Sequence, residues 1–189
     1  GEMLQLARKK KKVQKLRLAL LCDVSGSMDR YSRFLLQFIY SLENDITGVD
    51  AWVFSTRLTE VTPYLRGRSY DECLEHIAQS VHDWSGGTNI GSCLYEFAQG
   101  VARERITRRS VVIIISDGGD RGEVSLLERA MRMLQRQART VIWLNPLLGS
   151  PSYQPLCAGM KAALPYVDHF LPVHNLDSLV KLTKTLSSL

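Results

Sequence analysis

The sequence predicts a doubly wound α/β fold, in which helices cover both faces of a mostly parallel, six-stranded sheet with one antiparallel edge strand. Two observations lead to this fold class. Short apolar runs typical of strands alternate with segments of helical periodicity along nearly the whole chain, a pattern typical of strands joined by helical crossovers. The strongest run, residues 111–115, consists of β-branched residues only. Such a run indicates a central strand that is buried on both faces.

The first half of the chain is expected to hold three strands and two helices. Residues 16–22 are an apolar run that ends at a turn, and large apolar side chains then recur every three or four positions between Tyr31 and Leu42, which predicts a helix. Residues 50–54 and 58–62 are typical of strands, and the three-residue turn between them favours a hairpin. The antiparallel strand is therefore expected at this edge. A helix over residues 70–81, capped by Ser69, follows.

The second half of the chain continues the alternation. A helix is expected from residue 90 to about 105, before the strand at 111–115, and another over 124–137, before a strand at 140–144. Residues 167–173 predict the last strand. Pro172 interrupts it, and proline inside a strand indicates the edge of a sheet. Asn175 is predicted to cap a C-terminal helix.

Composition limits the domain organisation. The chain has 189 residues, of which 45% are hydrophobic, so it can form one domain with an ample core and is neither disordered nor collagen-like. Residues 1–17 hold seven basic side chains and one acid, which leaves 17 basic and 18 acidic residues in the remainder. We therefore interpret residues 1–15 as a basic linker or the truncated remnant of an N-terminal region, and residues 16–189 as the folded domain. Since the excess charge is confined to the head, we predict no nucleic-acid partner.

Targeting signals and cysteines point to the cytoplasm. The apolar run at 18–22 is too short for a secretory signal and leads directly into Asp23, and no run approaches the roughly 18 apolar residues that a membrane span needs. The four cysteines are widely spaced and contain no CxxC pair, which argues against a zinc site or a disulfide framework. A reduced, cytoplasmic setting is the simplest interpretation.

Three polar clusters follow predicted strands or open a predicted helix. They are DVSGS at 23–27, GGTN at 86–89 and DGGD at 117–120. Ligands of open parallel sheets bind outside the carboxyl ends of the strands. Each cluster alone also fits an ordinary helix cap or turn, but turn chemistry explains their joint occurrence poorly. We therefore expect them to share one site.

The residue types in these clusters suit a divalent cation. Asp23 and Asp117 supply two carboxylates, which would balance its charge and leave positions for water and an incoming ligand. Three hydroxyls come from Ser25, Ser27 and Thr88. All five are hard oxygen donors, which suit Mg²⁺, Mn²⁺ or Ca²⁺ and are poor ligands for zinc or copper. We assign no catalytic residue.

The stretch DVSGSM at 23–28, with Thr88 and Asp117, resembles the signature of von Willebrand factor type A (VWA) domains. The resemblance implies a metal-ion-dependent adhesion site (MIDAS) formed by the five residues Asp23, Ser25, Ser27, Thr88 and Asp117. It also implies that the hydroxyls bind the ion directly, that the aspartates act largely through water, and that an acidic residue of a protein partner completes the coordination.

Four longer stretches, at 83–91, 115–122, 143–160 and 164–176, are similar to the CoxE-like branch of VWA domains. That similarity implies a bacterial protein that works with a MoxR-type AAA+ ATPase in the maturation of carbon monoxide dehydrogenase-type molybdenum enzymes. The branch usually carries a further N-terminal helical region, which fits the interpretation of residues 1–15 as a remnant. Gly119 stands where the branch would place a large aromatic residue, so contacts at the rim of the site are expected to differ.

The favoured function is a non-enzymatic interaction module, a co-chaperone that captures an acidic residue of its partner through the ion. A metal-dependent phosphohydrolase is an alternative, although Ser25 stands where such an enzyme would want a second aspartate and no GxxxxGK[ST] loop is present. An extracellular adhesion domain would share the metal site but predicts a signal peptide. Binding of nucleic acid by the lysine-rich head is a further alternative.

Overall fold

The protein is described by a computed structural model over residues 16–45, 47–81 and 87–189, so the predicted linker at 1–15 lies outside the described residues. Six strands form one sheet: β1 (Arg17–Asp23), β2 (Val49–Phe54), β3 (Leu58–Glu60), β4 (Ser110–Ile115), β5 (Thr140–Asn145) and β6 (His169–Pro172). The helices are α1 (Asp29–Asp45), α2 (Thr62–Leu65), α3 (Tyr70–Ser80), α4 (Ile90–Gln99), α5 (Val101–Arg105), α6 (Val124–Gln137), α7 (Ala158–Ala163) and α8 (Leu176–Ser187).

The strand order is β3-β2-β1-β4-β5-β6. Every neighbouring pair is parallel except β2 and β3, which are antiparallel. The predicted fold class and the antiparallel edge strand are therefore confirmed. The chain proceeds outward from β1 in one direction and then restarts at β4 in the other. The carboxyl ends of β1 and β4 consequently lie side by side at the point where open α/β sheets bind ligands.

The core lies on both faces of the sheet, because alternate residues of each central strand point to opposite sides. In β1, Leu18, Leu20 and Cys22 pack on the face covered by α1, α3 and α8. Ala19 and Leu21 pack on the face covered by α4, α5, α6 and α7. All six residues of β4 are buried, which explains the unbroken apolar run at residues 111–115. No helix in the described part of the chain is long and apolar enough to cross a membrane.

Three predicted elements have different bounds in the structure. The strand expected at 58–62 ends at Glu60, because Thr62 turns inward, accepts a hydrogen bond from the Ala51 amide (2.8 Å) and begins α2. The helix expected at 90–105 is broken at Gly100, which ends α4 and precedes α5. The strand expected at 167–173 is only four residues long, since the Asp168 side chain accepts from the Val141 amide and fixes the entry to β6.

Candidate metal centre

Three loops meet at the carboxyl ends of β1 and β4. They enclose a cleft of about 710 Å³. Three of the five predicted site residues, Ser27, Thr88 and Asp117, line this cleft. The other two, Asp23 and Ser25, are fully buried, and the Ser25 hydroxyl lies 3.3 Å from the Ser27 hydroxyl. The structure therefore brings the three sequence clusters to one place, with Gly86 outside the described residues.

The first loop is shaped by the end of β1. The Val24 amide donates to the Phe54 carbonyl at 2.9 Å, so pairing with β2 continues one residue beyond the strand. The chain then tightens into a single 3₁₀ turn, which the Met28 amide closes by donating to the Ser25 carbonyl at 2.9 Å. Met28 is buried beneath this turn. As a result the hydroxyls of Ser25 and Ser27 are held next to each other.

The carboxyl group of Asp23 is buried and accepts hydrogen bonds from two neighbouring groups. Its Oδ1 accepts from the Ser25 amide at 2.9 Å, and its Oδ2 accepts from the Ser116 hydroxyl at 2.6 Å. The pKa of Asp23 is raised to about 6, chiefly by burial; the donors Ser116 and Ser25 offset part of that rise, and the nearby Asp117 carboxylate adds to it. Ionised Asp23 is thus a desolvated negative charge, which a nearby cation would stabilise.

The second loop follows β4 and carries Asp117. The Asp117 Oδ1 accepts from the Gly119 amide at 2.9 Å, and its backbone carbonyl accepts from the Asn145 side chain at 3.3 Å. Gly118 has a φ of +79°, and a Cβ at this position would overlap Met160 of α7. Only glycine fits this conformation and this close approach without strain.

Ser116 links the first two loops. Its hydroxyl donates to Asp23 and accepts from the Gly118 amide at 3.0 Å. The residue is completely buried. One side chain directly after β4 therefore orients the carboxylate at the end of β1 and also the turn that contains Asp117. Ser116 could not be predicted from the sequence, because a serine at the end of an apolar run carries no signal of its own.

The third loop carries Thr88 and is hydrogen-bonded to the turn after β2 and to the second loop. The Asn89 amide donates to the Ser55 carbonyl at 2.9 Å, and the Arg121 amide donates to the Thr88 carbonyl at 3.3 Å. Asp120 secures the start of α4, where its two carboxylate oxygens accept from the amides of Ile90 (3.0 Å) and Gly91 (3.1 Å). The sequence places Asp120 in the third polar cluster but assigns it no role; in the structure it is an acid at a helix N-terminus, where the helix dipole favours a negative charge.

The donor set fits a hard divalent cation. In an octahedron with metal–oxygen distances of 2.0–2.1 Å, adjacent oxygens lie about 3 Å apart, close to the separation of the Ser25 and Ser27 hydroxyls. Within the described ranges, neither Asp23 nor Asp117 forms an ion pair with a basic side chain. No group of three or more His, Cys, Asp or Glu residues suited to a metal occurs in the same part of the chain. Serine and threonine oxygens would therefore have to complete the ligand set.

The histidines of the described chain lie elsewhere. His76 stacks on the ring of Tyr64 with an interplanar angle of 8°. His174 is exposed beside Asn175. Neither these residues nor His169 lines the cleft. His82 lies outside the described residues.

A family of known proteins matches this chain. The family model described as "VWA domain containing CoxE-like protein" matches residues 1–179. A search of curated proteins finds no match to the chain.

Solved structures share the fold. One is an aerotolerance-related membrane protein from Bacteroides fragilis, crystallised with multiple mutations to serines, with 17% identity, a TM-score of 0.54, and coverage of 90% of this chain and 97% of the other. Another is proximal thread matrix protein 1 from the mussel byssus, with 17% identity and a TM-score of 0.59, covering 91% of this chain and 46% of the other. A further structure of the mussel protein has a zinc-occupied MIDAS motif; it shows 17% identity, a TM-score of 0.58, and coverage of 91% and 47%.

Proposed function

The chain belongs to the VWA domain-containing CoxE-like family, and from this premise we propose that it is a non-enzymatic interaction module that binds a divalent cation and captures an acidic residue of a protein partner. The observation that carries the proposal is the convergence of hydroxyls and carboxylates from three loops on one cleft. The proposed ligands are Asp23, Ser25, Ser27, Thr88 and Asp117. Mg²⁺ is the proposed ion, with Mn²⁺ or Ca²⁺ as substitutes; the zinc-occupied MIDAS motif of the mussel protein supports a divalent metal in this fold.

The proposed ligands contribute to ion binding in two different ways. Ser27 and Thr88 present hydroxyl oxygens at the cleft surface, while Asp23 contributes negative charge from a buried position and is held by Ser116. When bound, the ion supplies a Lewis-acidic position for an external carboxylate oxygen. Attraction between partly desolvated charges is strong, and an external final ligand keeps the capture reversible.

Metal binding is tested by titrating the protein with Mn²⁺ and counting free ion by electron paramagnetic resonance. We expect one ion per chain, and at least a tenfold loss of affinity in Ser27→Ala and Asp117→Asn. Two matched controls, Ser41→Ala and Glu75→Gln, remove an exposed hydroxyl and an exposed carboxylate from helices α1 and α3 and should bind as the wild type does. Equal affinity in all five proteins would overturn the proposed site.

We propose that the partner is a MoxR-type AAA+ ATPase and that the complex acts in the bacterial cytoplasm on a carbon monoxide dehydrogenase-type enzyme during its maturation. The family match supports this pathway. A chelator would also remove the Mg²⁺ that an ATPase needs, so the cleaner test keeps Mg²⁺ constant and compares wild type with Asp117→Asn. Co-elution of purified ATPase with the wild type, lost in the variant, is the expected result. Undiminished co-elution of the variant would contradict capture through the ion.

The chemistry of the cleft supports binding rather than catalysis. In the described lining, oxygen donors are accompanied by a single arginine. Ser25, which stands where a phosphohydrolase would place a second aspartate, is buried. Mg²⁺-dependent hydrolysis of p-nitrophenyl phosphate that is lost in Asp23→Asn would instead assign an enzyme.

A further inference from the structure

Arg121 gives the cleft a second cationic position. We propose that it forms an anion subsite beside the metal centre, and that the captured segment of the partner carries two acidic side chains, one for the ion and one for Arg121. This inference rests on the proposed function and specifies its partner as a segment with paired Asp or Glu residues. It assigns a specificity role to a residue outside the five proposed ligands.

The backbone of Arg121 is fixed next to the proposed ligands. Its amide donates to the Thr88 carbonyl at 3.3 Å, so the residue is attached to the loop that carries one ligand. Its side chain is exposed and lines the same cleft as Ser27 and Asp117. Of the described residues that line the cleft, Arg121 is the one with a basic side chain. A guanidinium on a fixed backbone can offer two parallel donors to one carboxylate.

The neighbouring carboxylate of Asp120 is already engaged by backbone amides. Its Oδ1 accepts from Ile90 (3.0 Å) and Gly122 (2.9 Å), and its Oδ2 accepts from Gly91 (3.1 Å). These bonds hold Asp120 at the positive end of α4, where the helix dipole offsets part of its charge. Within the described ranges, Arg121 forms no ion pair. Its guanidinium is therefore open to an external anion.

Charge complementarity favours a doubly acidic ligand. The two carboxylates of Asp23 and Asp117 balance one divalent ion, so a single carboxylate from the partner satisfies the metal position alone. A second acidic group in the same segment would also reach the guanidinium that shares the cleft. If the neighbouring residue in the segment is neutral, the guanidinium stays hydrated. Arg121 would therefore discriminate between segments with one acidic residue and segments with two.

The test uses two synthetic peptides, acetyl-Gly-Glu-Gly-amide and acetyl-Gly-Glu-Gly-Glu-Gly-amide. Two further forms of the second peptide have two or three glycines between the glutamates. Binding to the Mn²⁺-loaded protein is measured by paramagnetic relaxation of the peptide protons, which detects millimolar affinity. An exposed, bidentate arginine–carboxylate pair is worth a factor of about five, so the best doubly acidic peptide should bind about fivefold tighter. Arg121→Gln should reduce this preference to about the factor of two that two equivalent glutamates give statistically, and leave the singly acidic peptide unaffected. Arg136→Gln, which removes an exposed arginine in the last turn of α6, should keep the full preference.

A second readout does not depend on the paramagnetic ion. In the Mg²⁺-loaded protein, the Nε–Hε resonance of Arg121, identified by its loss in Arg121→Gln, should shift with the doubly acidic peptide and stay in place with the singly acidic one. An undiminished preference in Arg121→Gln, or no preference beyond the statistical factor of two for any spacing in the wild type, would overturn the anion subsite and leave the metal site standing. If neither peptide shows ion-dependent binding, the proposed function itself fails, and the inference fails with it.

Discussion

Asp23→Asn is expected to make the ion-free protein more stable at neutral pH while it removes divalent-cation binding. The carboxyl is fully buried, and its pKa rises from an ordinary value of 3.8 to about 6. At about 1.4 kcal/mol for each pH unit, this rise corresponds to about 3 kcal/mol of unfavourable free energy for the ionised form. Asparagine keeps the shape and an acceptor oxygen for the Ser25 amide, and it removes the charge. Its Nδ2 is a donor, so the Ser116 hydroxyl, which donates to Oδ2 of the aspartate, loses its acceptor.

The pH dependence of this effect has a defined sign. Below pH 3.8 the carboxyl is protonated in both the folded and the unfolded chain, and it carries no penalty. Between pH 3.8 and about 6 the unfolded chain loses the proton first, so the folded state is destabilised as the pH rises. Above pH 6 the penalty is complete. The stability advantage of Asp23→Asn should therefore grow across this interval and then remain constant.

The assay is urea unfolding in EDTA between pH 4.5 and 7.5, followed by fluorescence of the buried Trp52 and Trp143. At pH 7.5 the variant should be about 1–2 kcal/mol more stable, because the lost hydrogen bond of Ser116 offsets part of the gain, while Glu75→Gln matches the wild type. Addition of Mg²⁺ should reverse the order, because an ion at about one thousand times its Kd adds about 4.1 kcal/mol to the wild type only. A variant less stable than the wild type at pH 7.5, or a difference that does not change with pH, would refute the reasoning about burial.

Three further substitutions test how the loops are held. Ser116→Ala leaves the Asp23 carboxylate and the Gly118 amide without their shared partner, so urea unfolding should show a loss of about 1–3 kcal/mol, and Mn²⁺ titration a weaker site. Asp120→Ala should lower Mn²⁺ affinity about tenfold, because residues that orient metal-binding loops typically contribute this much; unchanged affinity would show that α4 holds Thr88 without it. Gly118→Ala should lower the melting temperature more than Gly67→Ala, because both glycines have positive φ but only Gly118 packs against Met160.

The fold could be predicted because burial on both faces of the sheet leaves a direct trace in the sequence. The run at 111–115 is apolar throughout, since each residue of β4 faces one of two cores. The short helices α2 and α7 were missed, because four and six residues are too few to show a helical period. The break at Gly100 was missed for a different reason: an isolated glycine inside a helical pattern is usually tolerated.

Part of the candidate site could be predicted from the sequence and part could not. The residues that face the cleft belong to short local motifs, so their residue types and their positions beside predicted strands and helices predict a cation site. The residues that position them act over long distances in the chain: Ser116 contacts a carboxylate 93 residues away, and Asp120 contacts amides 29 and 30 residues away. Contacts of this kind exist only after the sheet has formed. Residue type and local spacing therefore carry no signal for them.

The reversal of chain order between β1 and β4 has a consequence for folding. The proposed ligands come from residues 23–27, 88 and 117, so the two central strands must pair and α4 must dock before all of them meet. A partly folded chain, or a fragment that ends before β4, has no complete set of oxygens to offer. An ion that needs all three loops would bind only fully folded domains. A partner recruited through that ion would therefore bind the folded protein and not its folding intermediates.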